Sequence, residues 1–316
     1  MEEIIIWILN MLSKNIYIFL FLIFSYVVFY FLYFDFNDTK LIFFEIKLPR
    51  FIMAILIGVI LSISGLITQN VFANPIADPY IIGIAQAASF GAILAFVLQM
   101  SDYYYGIFAF LVSSVFSFFI FNISKNKSMA ILLIIGISFS SFLGAFSSFF
   151  IYYMGEDSFK ITSWFMGYLG LASWDKILIL ALPCCIAFFY FFIHKNELNI
   201  LLSNDEEQAL SLGVDCAKLK RNLLIVSSLI ISFAISFSGI IGFVGLIIPH
   251  IARLFLKTYD NNIILPFCAL FGGLFLLMSD YFSKTLLNPI EIPIGVITSF
   301  FGAPLFLYLA LRLKEH

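Results

Sequence analysis

Polar residues in this chain come in short clusters, at 35–40, 99–105, 124–128, 156–160, 195–221, 258–262 and 283–291, and the stretches between them are almost wholly apolar. A helix needs about 20 mostly apolar residues to cross a bilayer, and segments apolar all round belong in lipid or in a core. The pattern predicts about ten membrane helices, near 15–34, 50–71, 80–99, 105–122, 128–153, 175–194, 222–242, 246–257, 264–281 and 293–311. The eighth is short for a crossing, so irregular backbone packed inside the protein is expected on either side of it. The amino terminus opens Met1-Glu2-Glu3 rather than with a basic run, so its apolar stretch is expected to stay as the first span.

Composition agrees with the pattern. Hydrophobic residues make up 62% of the 316 and charged residues 11%, against about 25% charged in soluble domains. The chain is therefore an integral membrane protein, and a net charge of −2 gives no footing for a nucleic-acid partner. The 41 phenylalanines read as lipid-facing filler. Four cysteines without a CxxC, and three histidines far apart, point to neither a metal nor a redox site. No GxxxxGK[ST] run occurs, so the chain does not cradle ATP by the usual loop. Any energy the chain uses must then come from a partner or an ion gradient, and no clustered nucleophile, base or metal set suggests an enzyme.

Lys and Arg favour cytoplasmic loops. With the amino terminus inside, ten of them (Lys14, Lys125, Lys127, Lys195, Lys218, Lys220, Arg221, Lys257, Arg312, Lys314) fall on the cytoplasmic side. Six (Lys40, Lys47, Arg50, Lys160, Lys176, Lys284) fall outside, and Arg253 lies within the eighth span. Both termini are thus expected in the cytoplasm. Ser64-Gly65 precedes Pro75 by the same interval as Ser238-Gly239 precedes Pro249, in spans of opposite direction, an echo of the kind an inverted repeat leaves. The small pairs themselves are expected to let helix backbones approach closely.

Asn74, Pro75, Asp78 and Pro79 break the chain after the second span; proline removes a donor, and Asn and Asp can bond freed backbone groups. This is either a capped turn or part of a cytoplasmic gate. Ser138, Ser141, Ala145 and Ser148 recur at three or four residues along one face of the fifth span, either as packing positions or as the lining of a watery path. Residues 204–213 read as a short helix, capped by Asn204 or Asp205 and stopped by Gly213.

Several of these motifs occur in one order: Leu48-Pro49-Arg50, Ser64-Gly65, Gln69, Asn74-Pro75, Ala77-Asp78-Pro79, Gly83, and the late run Gly239-Ile240-Ile241-Gly242-Phe243-Val244-Gly245 leading to Pro249-His250 and Arg253. Together they resemble the permease subunits of FecCD, or type II, ABC importers for iron chelates, haem and cobalamin, over about 44–311. Ala73, Ala87 and a missing glycine before Glu206-Glu207 depart from the family pattern.

The resemblance implies an all-α integral membrane fold like that of the cobalamin importer permease: a single domain over 1–316 with two inverted four-helix halves, about 50–153 and 222–311, around a central span. It implies a path along Ser138, Ser141, Ala145 and Ser148, and an outer re-entrant helix at Trp164-Phe165-Met166-Gly167. It implies a gate turn at Asn74, Pro75, Asp78 and Pro79, and a coupling segment, about 196–221, seating Glu206, Glu207, Ala209, Leu212 and Gly213 against an ATPase. Outward Lys47, Arg50 and Lys284 would dock a substrate-binding protein, although Asp280 and Glu291 offer Lys284 an internal pair instead. The implied partners are a second copy of the chain, two ATP-binding subunits that hold ATP and Mg, a binding protein and the bilayer, with no cofactor in this chain. The implied activity is non-enzymatic import across a bacterial inner membrane of a ferric siderophore or haem. Cobalamin, or molybdate and tungstate, are the alternatives, followed by an ion-coupled secondary transporter.

Overall fold

The computed structural model describes residues 2–34, 39–101, 103–124, 127–155, 158–202 and 206–312. Their elements are α1 (Glu2–Tyr33), α2 (Lys40–Ile42), a π-helical turn (Phe43–Lys47), α3 (Leu48–Val71), α4 (Ile84–Val97), α5 (Tyr103–Ile123), α6 (Met129–Met154) and α7 (Ser158–Phe165). They continue with α8 (Trp174–Ile193), α9 (Lys195–Leu201), α10 (Glu206–Ser211), α11 (Cys216–Ser238), α12 (Val244–Leu256), α13 (Asn261–Thr285) and α14 (Ile294–Arg312). Among the described residues, seven apolar segments are long enough to cross a membrane, and α4, α12 and the first part of α14 are shorter apolar helices. All ten expected spans are matched by helices.

Local chemistry sets the helix ends. Ser128 accepts from the Ile131 N–H at 3.4 Å and Asp215 from the Lys218 N–H at 3.0 Å, so each caps the helix that follows. Pro49 sits in the first turn of α3, where its missing N–H is not needed. Residues 80–83, expected within the third span, belong to a turn instead. The Tyr80 N–H donates to Asp78 Oδ1 at 2.6 Å and the Gly83 N–H to the Tyr80 carbonyl at 2.8 Å, which delays α4 to Ile84. α12 is short, as expected, and left-handed residues, Phe243 and Lys257, flank it at both ends.

The helix pairing is reciprocal between the early and late helices. α3 packs on α12 and α13, while α11 packs on α4 and α5, and α8 touches both α3 and α11. α3 is the most deeply buried of the seven crossing segments, with 78% of its segment buried against 28% for α8. α3 is thus the most enclosed of the long helices, and α8 lies against the first long helix of each expected half. The Ser-Gly echo does not mark equivalent places: Gly65 lies inside α3 with Pro75 in the turn beyond, whereas Gly239 ends α11 and Pro249 lies within α12.

Irregular backbone inside the bundle is paired with itself. The Ile240 N–H donates to the Phe165 carbonyl at 3.1 Å and the Tyr168 N–H to that of Ser238 at 2.9 Å. The Ile294 and Gly295 N–H groups donate to Gly167 at 3.0 Å and Met166 at 2.9 Å. Three chain breaks thereby satisfy one another's backbone groups, the condition for non-helical backbone at membrane depth.

Candidate functional site

α3 and α13 run antiparallel, and each end of the pair carries a buried polar junction. Arg50 and Asn70, on α3, set the two junctions about 30 Å apart at 1.5 Å per residue.

At the carboxyl end of α3, Pro249 cannot donate to the Gly245 carbonyl one turn back. The Gln69 side chain takes over there, with Nε2 3.4 Å from the Gly245 carbonyl and donating to that of Leu246 at 3.0 Å. Gln69 Oε1 accepts from Arg253 Nη1 at 2.6 Å, and Arg253 Nη2 donates to Asn70 Oδ1 at 3.2 Å. Asn70 Nδ2 donates to Asn261 Oδ1 at 2.8 Å, and Asn261 Nδ2 to Asn199 Oδ1 at 2.7 Å. Asn199 Nδ2 donates to Asp260 Oδ1 at 2.8 Å, and the same carboxylate caps α13 through the Asn262 N–H. Burial alone would raise the Asp260 pKa; the Asn262 and Asn199 hydrogen bonds and the charge of Lys195 outweigh it and hold the carboxyl below its usual range.

The turn expected as a gate hangs on this junction. The Asn74 N–H donates to the Gln69 carbonyl at 3.0 Å and the Ala73 N–H to that of Asn70 at 3.3 Å. Asn74 and Asp78 each accept a backbone N–H two residues on, from Ile76 at 3.0 Å and Tyr80 at 2.6 Å. Asn74 and Pro75 are exposed, whereas Pro79 is buried, close to Gly245.

The opposite junction holds the basic residues expected to face a docking partner, and here the structure departs from that expectation. Arg50 is only 7% exposed. Its Nε and Nη2 donate to Asp280 at 3.0–3.2 Å and its Nη1 to Glu291 at 3.0 Å. Tyr33 donates to Asp280 Oδ2 at 2.6 Å. Lys284 stands 3.5 Å from the same carboxylate, over the Tyr33 ring. A buried guanidinium needs countercharge on every side, so Arg50 and Lys284 bind the ends of α1, α3 and α13 and the loop before α14. Lys47 is half-buried in the π-helical turn.

The α6 stripe is exposed throughout: Ser138, Ser141, Ala145 and Ser148 all lie on a surface that the rest of the chain leaves uncovered. The Ser138 and Ser141 hydroxyls turn back to the Ile134 and Ile137 carbonyls, at 2.8 and 2.9 Å. Phe142, Phe146 and Phe149 form a second exposed stripe beside it. In the segment expected to couple, Glu206 and Glu207 open α10, and Ala209 is buried in the main core. Leu210 and Leu212 are each 63% exposed. Gly213, at φ +81°, ends the helix: its N–H donates to Leu210 at 2.9 Å and the Val214 N–H to Ala209 at 3.0 Å, the paired closure that a left-handed residue permits. The Asn204 or Asp205 cap lies outside the described residues.

Sequence reasoning left Arg253 unassigned and did not single out Asn70, Asn261 or Asn199. The available signal was that polar side chains within or at the ends of apolar spans require a named partner.

A bundle of apolar helices with broken helices, an uncovered polar stripe and paired polar junctions defines a polytopic membrane protein. Comparison with known proteins specifies it further: the profile of the FecCD transport family matches residues 4–312, and the chain belongs to that family. It is 37% identical over 283 residues to the hemin transport system permease protein HmuU of Yersinia pestis, covering 86% of this chain and 83% of that one. It is 37% identical over 275 residues to the cobalamin import system permease protein BtuC of Halobacterium salinarum, covering 85% and 73%. A solved metal-chelate type ABC transporter in an inward-facing conformation superposes with a TM-score of 0.86 at 29% identity, covering 95% of this chain and 99% of that one. The chain is an ABC transporter permease.

Proposed function

We propose that this permease takes up a metal chelate across a bacterial inner membrane, as the membrane half of an ATP-driven importer. Two copies enclose one path, two separate ATPase subunits hold ATP and Mg beneath them, and one binding protein delivers substrate above. Both termini lie in the cytoplasm, and the halves run over about 50–153 and 222–311 with the coupling segment about 196–221. The leading cargo is a ferric siderophore or haem, in line with the relative named for hemin; cobalamin and molybdate are the alternatives, since relatives named for each are similarly close. Uptake assays with the cognate binding protein, run in parallel on a ferric siderophore, haem, cobalamin and molybdate, decide among them.

The observation that carries the coupling role is α10 with the turn after it: Ala209 anchors the helix, and Leu210 and then Leu212 in the turn are bare. It lies at the same end of the bundle as Lys195, Lys218, Lys220 and Arg221. Exposed leucines at a loop tip fit an apolar groove on a partner. Leu212→Asp is expected to abolish substrate-stimulated ATP turnover in the reconstituted complex while insertion and dimerisation stay normal. Unchanged turnover would sink the coupling role.

The α6 stripe is assigned to the path because hydroxyls and a small side chain are poor lipid-facing choices beside an all-Phe stripe. Thiol modification needs water and thiolate. With Cys184, Cys185, Cys216 and Cys268 replaced, cysteines at Ser141, Ala145 and Ser148 are expected to react with a small water-soluble maleimide, at rates that change when ATP is added. A cysteine at Phe149 is expected to stay unlabelled. The reverse pattern would make the stripe a packing face. Lys47 remains the proposed docking cation at the outer end.

A further inference from the structure

We propose that Asn199, Asn261, Asn70, Arg253 and Gln69 form the positioning linkage through which movement at α10 reaches the turn at 72–83. This rests on the coupling role of α10. The five residues come from four helices: Asn199 from α9, Asn261 from the start of α13, Asn70 and Gln69 from the end of α3, and Arg253 from α12. α10 packs on α9, and α9 packs on both α13 and α3. The first step from the ATPase-facing segment is therefore direct.

The side-chain amides run head to tail. Asn261 donates from Nδ2 to Asn199 and accepts at Oδ1 from Asn70; Asn70 accepts at Oδ1 from Arg253; Gln69 accepts at Oε1 from Arg253 and donates from Nε2 to the carbonyls at the start of α12. Gln69, Asn70 and Asn261 are each no more than 2% exposed. Displacing one leaves its neighbour a buried unpaired amide, so the set moves together or not at all. The output runs through the backbone: the turn continues the chain of α3, and the Ala73 and Asn74 N–H groups donate to the Asn70 and Gln69 carbonyls.

The two ends of α3 differ in kind. Arg50 is held by two carboxylates, but Arg253 is held by two neutral amide oxygens with the Tyr259 ring 6.0 Å away. Parting a buried cation from carboxylates costs more than exchanging its bonds to neutral oxygens. Arg50 marks the fixed end of α3 and Arg253 the end built to shift. Network membership alone is compatible with a purely structural role, so the test separates motion from folding.

The complex of this permease with its ATPase and binding protein is placed in lipid nanodiscs. The four native cysteines are replaced, and Ile76, 46% exposed in the turn, is changed to cysteine as reporter. Maleimide labelling is measured with and without ATP and vanadate, alongside ATP hydrolysis. In the parent, nucleotide is expected to change the labelling rate about fivefold or more, the scale of ordinary intersite coupling. Asn261→Ala is expected to remove that change while hydrolysis stays within about twofold of the parent, and Arg253→Lys, which keeps one donor group, to leave an intermediate change. Should Asn261→Ala fail to assemble, Arg253→Lys carries the test: a full parental response in it overturns the linkage. A retained response in assembled Asn261→Ala overturns it as well. Leu212→Asp runs beside them. If it alone removes the response, α10 couples by another route and the linkage is wrong. If Asn261→Ala removes the response and Leu212→Asp does not, the linkage stands and the input assigned to α10 is wrong.

Discussion

Asp280→Ala is expected to destabilise the permease by about 3 kcal/mol or more, the cost of removing one partner from a buried ion cluster. Asp280 is wholly buried and serves Arg50, Lys284 and Tyr33 together. Its loss leaves Arg50 with Glu291 alone, and Lys284 facing only the ring of Tyr33. The measurement is thermal unfolding in detergent, with membrane yield beside it. A paired substitution sharpens the argument. Arg50→Met with Asp280→Leu removes one cation and one anion, leaving Lys284 and Glu291 to balance, and apolar replacement of a whole buried pair is often neutral. The double variant is therefore expected to unfold above Asp280→Ala. A single variant as stable as the parent would show that the cluster is solvated and that Arg50 is free to meet a partner.

Gly65→Ala is the second large effect. A Cβ at position 65 would overlap the backbone of Gly245 in α12, where no side chain can swing away. From the other helix, a Cβ at Gly245 would meet the Leu61 carbonyl at 2.8 Å and Pro79 at 2.6 Å. The helices would have to separate, which costs about 1–3 kcal/mol in overpacking and draws Gln69 away from the carbonyls that it satisfies. The expected result is a lowered thermal midpoint and loss of transport. Gly242→Ala is the control: nothing lies within 4 Å of a Cβ there, and its φ is not positive. It is expected to behave as the parent. Equal damage from both substitutions would mean that the α3–α12 contact is not the constraint.

That contrast marks the reach of sequence reading. Gly65 and Gly242 both lie in motifs that resemble the family, and nothing in the one-dimensional pattern ranks them. The same holds for cations. Lys47, Arg50 and Lys284 look alike as basic residues at the outer ends of spans, yet Arg50 and Lys284 are spent on carboxylates that come from 230 residues away or sit one turn back in the same helix. Arg253, left unassigned within its span, turns out to join α12 to α3. Asn70, Asn261 and Asn199 read singly as polar residues at helix ends, and their order as donors and acceptors exists only once four helices converge.

What the sequence determined by itself is whatever depends on local chemistry and on the solvent. Apolar runs of span length, broken by polar clusters, dictate membrane helices because an unpaired backbone is too costly in lipid. Pro and Asn-Pro breaks, Ser and Asp caps and the Gly213 stop act within a few residues, so α10, α12 and the turn after α3 were legible before any fold was known. Tertiary structure decided everything that depends on which distant groups meet. It buried α3 more deeply than the other crossing segments, moved Arg50 and Lys284 from a docking face to an internal cluster, and assembled a buried amide chain around Arg253. The physical reason is that burying a charge or an amide is unfavourable until a partner arrives, and in this chain the partners come from other helices, up to 247 residues away.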